Sequence, residues 1–94
     1  MIKSFRHKGL KQLFLTGSAK GVQSTHAARL RWMLNHLDTA VRLEDMNFPG
    51  SDLHPLKGKL KGYWAVKVNA NWRLIFRFED GHAREVDDYD CHYH

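Results

Sequence analysis

Apolar residues along this 94-residue chain change their period near its middle. In the first half they recur at helical spacing, and from Trp64 onward they alternate. Leu10, Leu13 and Phe14 fall on one side of a first helix. Gly17 is a natural stop, because glycine tolerates the left-handed backbone that ends many helices. Ser18 to Val22 reads as a loop. Ser24 is placed to cap a second helix running from about Thr25 to Thr39, with Ala27, Leu30, Leu34, Leu37 and Val41 as its apolar stripe. Trp32 falls nearly opposite that stripe, so a large exposed indole is expected there. Met1 to Phe5 is short enough for an edge strand, and 42–52 with its Pro49-Gly50 pair reads as irregular.

The second half predicts strands. Trp64, Val66 and Val68 alternate with Ala65, Lys67 and Asn69; Trp72, Leu74, Phe76 and Phe78 alternate with Arg73, Ile75, Arg77 and Glu79. Asn69-Ala70-Asn71 suits a three-residue hairpin loop, since Asn accepts left-handed backbone. Asp80-Gly81 is a two-residue hairpin signal. Continued without interruption, that hairpin sets Glu79 opposite His82, Arg77 opposite Arg84, Ile75 opposite Val86 and Arg73 opposite Asp88. Arg73, Asp88, Asp90 and His92 then share the sheet face away from the helices. The expected core contains Trp64, Val66, Leu74, Phe76, Leu30, Leu34 and Leu37. The whole is expected to be one α+β domain over 1–94, with two N-terminal helices packed on a mainly antiparallel sheet.

Charge narrows the partners. Fifteen Lys and Arg against ten Asp and Glu give +5, and six of the ten acids lie at or beyond Glu79, so the remainder is more basic than the total suggests. This favours a polyanionic partner such as nucleic acid, against the plainer reading of a soluble basic protein. No apolar run is long enough to span a membrane and the N-terminus lacks a signal-peptide core, so no membrane association is expected. The single Cys91 forms no internal disulfide, which fits the cytoplasm.

The densest chemistry lies in Leu53-His54-Pro55-Leu56-Lys57-Gly58, Gly62-Tyr63-Trp64, Asn71-Trp72-Arg73 and the tail Asp90-Cys91-His92-Tyr93-His94. Pro55 holds His54 extended, and Lys57 nearby disfavours its charged form, which suits proton exchange near neutral pH. The plainer reading is a surface loop imidazole. Lys57 and Arg73 are suited to phosphate, Arg73 through two oxygens at once; the alternative is solvated surface charge. Cys91, His92 and His94 belong to the zinc-ligand alphabet, but their spacing matches no closed four-ligand site, so no metal or other cofactor is expected. The tail also reads as a carboxylate and imidazoles available for acid/base work, or simply as a frayed end. Phosphate-binding loop, nucleophile-elbow and H-E-x-x-H motifs are absent. A basic sheet face with His, Lys, Arg and Asp fits RNA cleavage, because RNA supplies its own 2′-OH nucleophile.

Met1-Ile2-Lys3-Ser4-Phe5, His7-Lys8-Gly9-Leu10-Lys11, the Leu53–Gly58 block, Gly62-Tyr63-Trp64, Asn71-Trp72-Arg73, Phe76-Arg77-Phe78 and the His-containing end together resemble the HigB-type toxins of the RelE/ParE toxin–antitoxin superfamily. The resemblance runs in order over nearly the whole chain. It implies a β-α-α-β-β-β fold and metal-independent mRNA cleavage in the ribosomal A site, which inhibits translation. As partners it implies a helix-turn-helix antitoxin of the HigA type, the ribosome and its mRNA, and operator DNA only through the antitoxin. It assigns catalysis to His54, Asp90 and His92, and phosphate or RNA binding to Lys57, Asn71 and Arg73. The family commonly ends in Asp-Tyr-His, whereas Cys91 stands here between Asp90 and His92. A gapless alignment keeps Asp90 and His92 as the pair; two inserted residues would instead bring Tyr93 and His94 into their place. The gapless form is favoured because the chain up to Asp90 needs no gap. Two alternatives share the fold: a non-catalytic ParE-like gyrase inhibitor, and a degenerate toxin that only binds its antitoxin.

Overall fold

A computed structural model describes residues 1–90, so Cys91, His92, Tyr93 and His94 lie outside the described residues. The first helix, α1, spans Lys8–Thr16. The His7 side chain opens it by accepting from the Leu10 N–H at 3.1 Å. Gly17 closes it at φ 79°, its N–H donating to the Leu13 carbonyl. Leu10 and Leu13 point into the core, as their spacing requires.

The second helix, α2, starts later than its sequence suggests. Ser24–His26 forms a 3₁₀ turn and α2 runs Ala27–Thr39, with no side-chain cap from Ser24. Its buried face is Leu30, Met33, Leu34 and Leu37. Val41, expected on this stripe, is 69% exposed. The helix ends at Thr39 and Ala40 turns extended, so the helical period stops before reaching Val41. Trp32 is exposed as expected, at 51%.

Four strands form an antiparallel sheet in chain order: β1 His54–Pro55, β2 Trp64–Lys67, β3 Trp72–Glu79 and β4 His82–Asp90. The N-terminal segment lies parallel to the outer edge of β4 through isolated bridges of Ile2 to Ala83 and Phe5 to Val86. Helices and sheet enclose one main core that includes Leu10, Leu30, Leu34, Val66, Leu74 and Phe76, with Trp64 only partly buried against it. Gly9 and Gly21 approach so closely that a Cβ on either would overlap the other's backbone. This contact presses the loop after α1 onto the first turn of that helix.

Both hairpins form as their turn residues demand. The Val68 and Asn69 N–H groups donate to the Trp72 carbonyl across the Asn69–Asn71 loop. Asp80 and Gly81 both take positive φ, 52° and 78°, and Glu79 faces His82. Arg77 faces Arg84, also as expected. Beyond that pair the register departs from a simple continuation. Glu85 sits at φ 53° in a bulge, and the pairing resumes with Ile75 opposite Asp87, Leu74 opposite Asp88, Arg73 opposite Tyr89 and Trp72 opposite Asp90. The expected pairs Ile75–Val86 and Arg73–Asp88 are therefore incorrect, as is the shared face for Asp88 and Asp90 with Arg73.

Burial explains the shift. Without the bulge, Glu85 would face inward beside buried Phe76, and Val86 would turn away from the core. The extra residue sends the Glu85 carboxylate outward, where it meets Arg77 and Tyr63, and turns Val86 into the core. The Glu85 N–H displaced from the ladder donates to Ser4 Oγ at 2.9 Å. Paired residues of an antiparallel sheet share a face, so Asp88 and Asp90 fall on the helix side with Leu74 and Trp72.

Phe76 has no exposed surface and lies between both helices and the sheet. Phe76→Ala should cost about 3–5 kcal/mol, read as a lowered urea midpoint with an unchanged slope. A loss below about 1 kcal/mol would place this ring outside the core.

Candidate functional site

The sheet face away from the helices is organised in rows. His54, Ala65, Ile75 and Asp87 form one row across all four strands; Lys67, Arg73 and Tyr89 form the next, toward the β2–β3 hairpin. Tyr63, Ala65 and Ile75 make a small buried apolar floor, with Leu56, Leu60 and Tyr89 packed on it. Cations therefore stand around a firm base.

One end of this face is locked. Arg77 lies over the Tyr63 ring, 4.7 Å from its centroid. Its Nε is 3.1 Å from Glu85 Oε2, an ion pair without hydrogen-bond alignment. The Tyr63 hydroxyl donates to Glu85 Oε1 at 2.9 Å and accepts from Arg6 Nη1 at 3.1 Å. Gly62 packs against the guanidinium from another side. Arg77 is thus held by the protein itself. Tyr63 belongs to the Gly62-Tyr63-Trp64 block, but nothing in that block marked it as the partner of Arg6, Arg77 and Glu85.

His54 is the best-placed imidazole of the open face. Its Nδ1 lies 2.7 Å from the Asp52 carbonyl, with Asp52 at φ 48°. A carbonyl only accepts, so Nδ1 carries the proton and the neutral ring presents the Nε2 lone pair outward. Arg73 is partly buried, and its Nη1 donates to the carbonyls of Asn69 at 2.8 Å and Trp72 at 3.2 Å. Among the described residues its other nitrogens are not used in this way. His54 and Arg73 are separated by two strands and two residues of register, on the order of 12 Å between Cα atoms.

Lys57 lies elsewhere. It is exposed beyond the Tyr63 end of β1, where the chain enters the Gly58–Leu60 turn. From Arg73 it is at least four residues away along the strands and two strands across, on the order of 16 Å between Cα atoms. The two cations therefore do not converge on one point of the face. Asn71 sits in the hairpin loop, its N–H donating to Asn69 Oδ1, and Asp90 stands opposite Trp72 at the rim of the sheet. Asn71, Arg73 and Asp90 thus share one corner.

Asp88 was drawn to the helix side by the bulge. Desolvation raises its carboxyl pKa above the ordinary value, and His7 and His26 oppose the rise. The signal available in sequence was the three-residue step from Ala83 to Val86, which reverses strand phase unless a residue is extra. No helix among the described residues is long and apolar enough to cross a membrane.

A raised carboxyl favours the protonated folded state, so stability falls as pH rises through the carboxylate range and is flat above it. Asp88→Asn should leave the melting temperature unchanged near pH 3 and raise it at pH 7, measured against the parent protein at each pH. Equal melting temperatures at pH 7 would show that Asp88 bears no desolvation penalty.

Residues 3–92 match the family model HigB-like toxin, described as the RelE-like toxin of the type II toxin–antitoxin system HigB. Endoribonuclease HigB of Proteus vulgaris is 45% identical over 92 residues, 98% of this chain and 100% of the relative. Toxin HigB-1 of Vibrio cholerae is 33% identical over 85 residues, 88% of this chain and 90% of the relative. Among solved structures, a point mutant of YafQ from E. coli aligns at TM-score 0.63 with 20% identity, covering 99% of this chain and 94% of YafQ. A chain of the YoeB–YefM complex from Staphylococcus aureus aligns at 0.57 with 15% identity, covering 93% of this chain and 95% of that one. These two likenesses concern the fold.

Proposed function

This chain belongs to the HigB-like family of RelE-like toxins, and we propose that it cuts mRNA on the ribosome, in the A site. Its near-full-length likeness to a protein named Endoribonuclease HigB makes it an endoribonuclease toxin. Membership in a type II toxin–antitoxin family also gives it an antitoxin partner. The observation that carries the finer reading is His54, with Nδ1 tied to Asp52 and Nε2 left to accept a proton over a basic sheet face. A gyrase poison has no need of such a group.

In this reading His54 Nε2 takes the proton of a ribose 2′-OH as that oxygen attacks the adjacent phosphorus. Arg73 stabilises the charged phosphorane through the guanidinium nitrogens it does not spend on the hairpin, and Lys57 holds another phosphate of the strand. The P–O5′ bond breaks, and the departing 5′-oxygen takes a proton at the tail, where the resemblance assigns acid/base work to Asp90 and His92. A 2′,3′-cyclic phosphate and a 5′-hydroxyl result. Asn71 meets the RNA at the hairpin corner. Under the gapless alignment Tyr93 and His94 are dispensable. The ribosome contributes the A-site mRNA in a fixed conformation, so the enzyme acts in the cytoplasm.

His54→Ala should lower cleavage of A-site mRNA on programmed ribosomes by about 10²–10⁴-fold, with 5′ ends mapped by primer extension. Cleavage within a factor of about three of the parent would exclude His54 as the base.

The antitoxin, of the helix-turn-helix type and linking the toxin to operator DNA, is proposed to dock on α2 around Trp32. That indole stacks on His36 at 5.1 Å and 8°, and meets Phe48 edge-on at 5.0 Å. A rigid exposed aromatic of this kind suits a protein-interface anchor. Trp32→Ala should weaken antitoxin binding by about 1 kcal/mol or more in a calorimetric titration, without changing cleavage by free toxin. Unchanged affinity would move the interface off α2.

A further inference from the structure

The helix side of the hairpin corner holds a second polar cluster, which no step of the cleavage chemistry uses. The Gly9–Gly21 contact seats the loop after α1 against the start of that helix. Loop, helix start and the ends of β3 and β4 surround an open recess of about 350 Å³, whose lining includes His7, Lys20, Gln23, Trp72 and Asp88.

The recess offers defined groups. Asp88 lines the recess with its carboxylate; Oδ1 is itself buried without a hydrogen-bond partner among the described residues, which leaves Oδ2 as the oxygen that can meet a ligand. His7 spends Nδ1 as an acceptor from Leu10, so the neutral ring keeps its proton on Nε2 and is a donor there. Trp72 supplies an aromatic wall. That wall is held from behind: His26 meets the indole edge-on at 5.9 Å and 64°. His26 is fixed in turn. Asn69 Oδ1 accepts from the Asn71 and Trp72 N–H groups, so its amide nitrogen faces His26 Nε2, 2.6 Å away, and donates to it. Lys20 is exposed beside the recess.

We propose that this recess is a nucleobase subsite for a purine carrying an exocyclic amino group. The amine donates to Asp88, a ring or carbonyl acceptor faces His7 Nε2, the ring lies against Trp72, and Lys20 meets the nucleotide's phosphate. Uracil has no amine to satisfy Asp88. Cytosine has one but covers less of the indole. Adenine and guanine share the required donor. The subsite rests on the endoribonuclease reading and deepens it: Trp72 adjoins Arg73 in sequence and faces Asp90, so a base held here belongs to a nucleotide next to the cleaved bond. Base preference at that position would then come from Asp88 and Trp72.

The test is a ¹H–¹⁵N titration of the full-length toxin with AMP, GMP, UMP and the 5′-monophosphate of purine riboside, which lacks the amine. The Trp72 indole signal is assigned with Trp72→Phe. AMP, GMP or both should shift that indole and the amides of Gly21 and Gln23, and the two arms show which purine is preferred. UMP and the amine-free purine should bind at least fivefold more weakly than the better purine. Asp88→Ala should weaken that purine at least fivefold while the rest of the spectrum stays in place. If Asp88→Ala unfolds, the comparison of purine with amine-free analogue on the parent protein decides alone. Equal binding of all four nucleotides, or shifts confined to the His54 and Arg73 face, would overturn the subsite. Normal cleavage on programmed ribosomes with no purine at the recess removes the subsite and leaves the nuclease standing; purine binding without cleavage does the reverse.

Discussion

The bulge at Glu85 is the constraint on which both faces of the sheet depend. A two-residue hairpin commits β4 to a phase in which Glu85 would enter the core. Transferring an unpaired carboxylate there costs far more than a single positive φ on a non-glycine residue. The extra residue reverses the phase, and Val86 completes the core in its place. Ser4 accepts the N–H that the ladder no longer uses, so the N-terminal segment helps to hold the bulge closed. Everything beyond Val86 follows from this reversal: Tyr89 joins the floor of the open face, and Asp88 goes to the helix side.

The positively charged groups of the open face divide into two kinds. Arg77 and Arg6 are bound to Tyr63 and Glu85, and they stiffen one end of the sheet. Arg73 rests on hairpin carbonyls, which hold one guanidinium nitrogen without neutralising its charge. A cation anchored by carbonyls stays available to an anion in a way that a cation paired with a carboxylate does not. The same economy applies to His54, whose partner is a backbone carbonyl and not an acid.

Much of the fold could be read from the chain because its turns announce themselves. Asn69-Ala70-Asn71 and Asp80-Gly81 fix two hairpins through local backbone chemistry, and the alternation from Trp72 to Phe78 fixes which face is buried. Gly17 marks the end of α1 for the same reason. What was not legible depends on competition between distant groups. The 3₁₀ entry to α2 left Ser24 without a capping role, and the helix ended before Val41, while Met33, outside the expected stripe, is buried. The bulge is an answer to burial, not to turn chemistry, so a register counted outward from Asp80-Gly81 is sound through Arg77–Arg84 and fails beyond it. Of the candidate site, His54, Asn71, Arg73 and Asp90 stand out in the chain as parts of motifs. That Arg73 and Asp90 meet at a corner from opposite faces does not.

The touching backbones of Gly9 and Gly21 bear on how genetics would see this protein. A lethal gene selects its own escape mutants, since only cells carrying a disarmed copy form colonies. Neither glycine faces His54 or Arg73, yet each tolerates no side chain where it stands. Survivors altered at Gly9 or Gly21 would sit in the same colony count as survivors altered at His54. A map of escape positions would therefore trace the molecule's tightest joint as faithfully as its chemistry, and only the amount of folded protein in each colony separates the two.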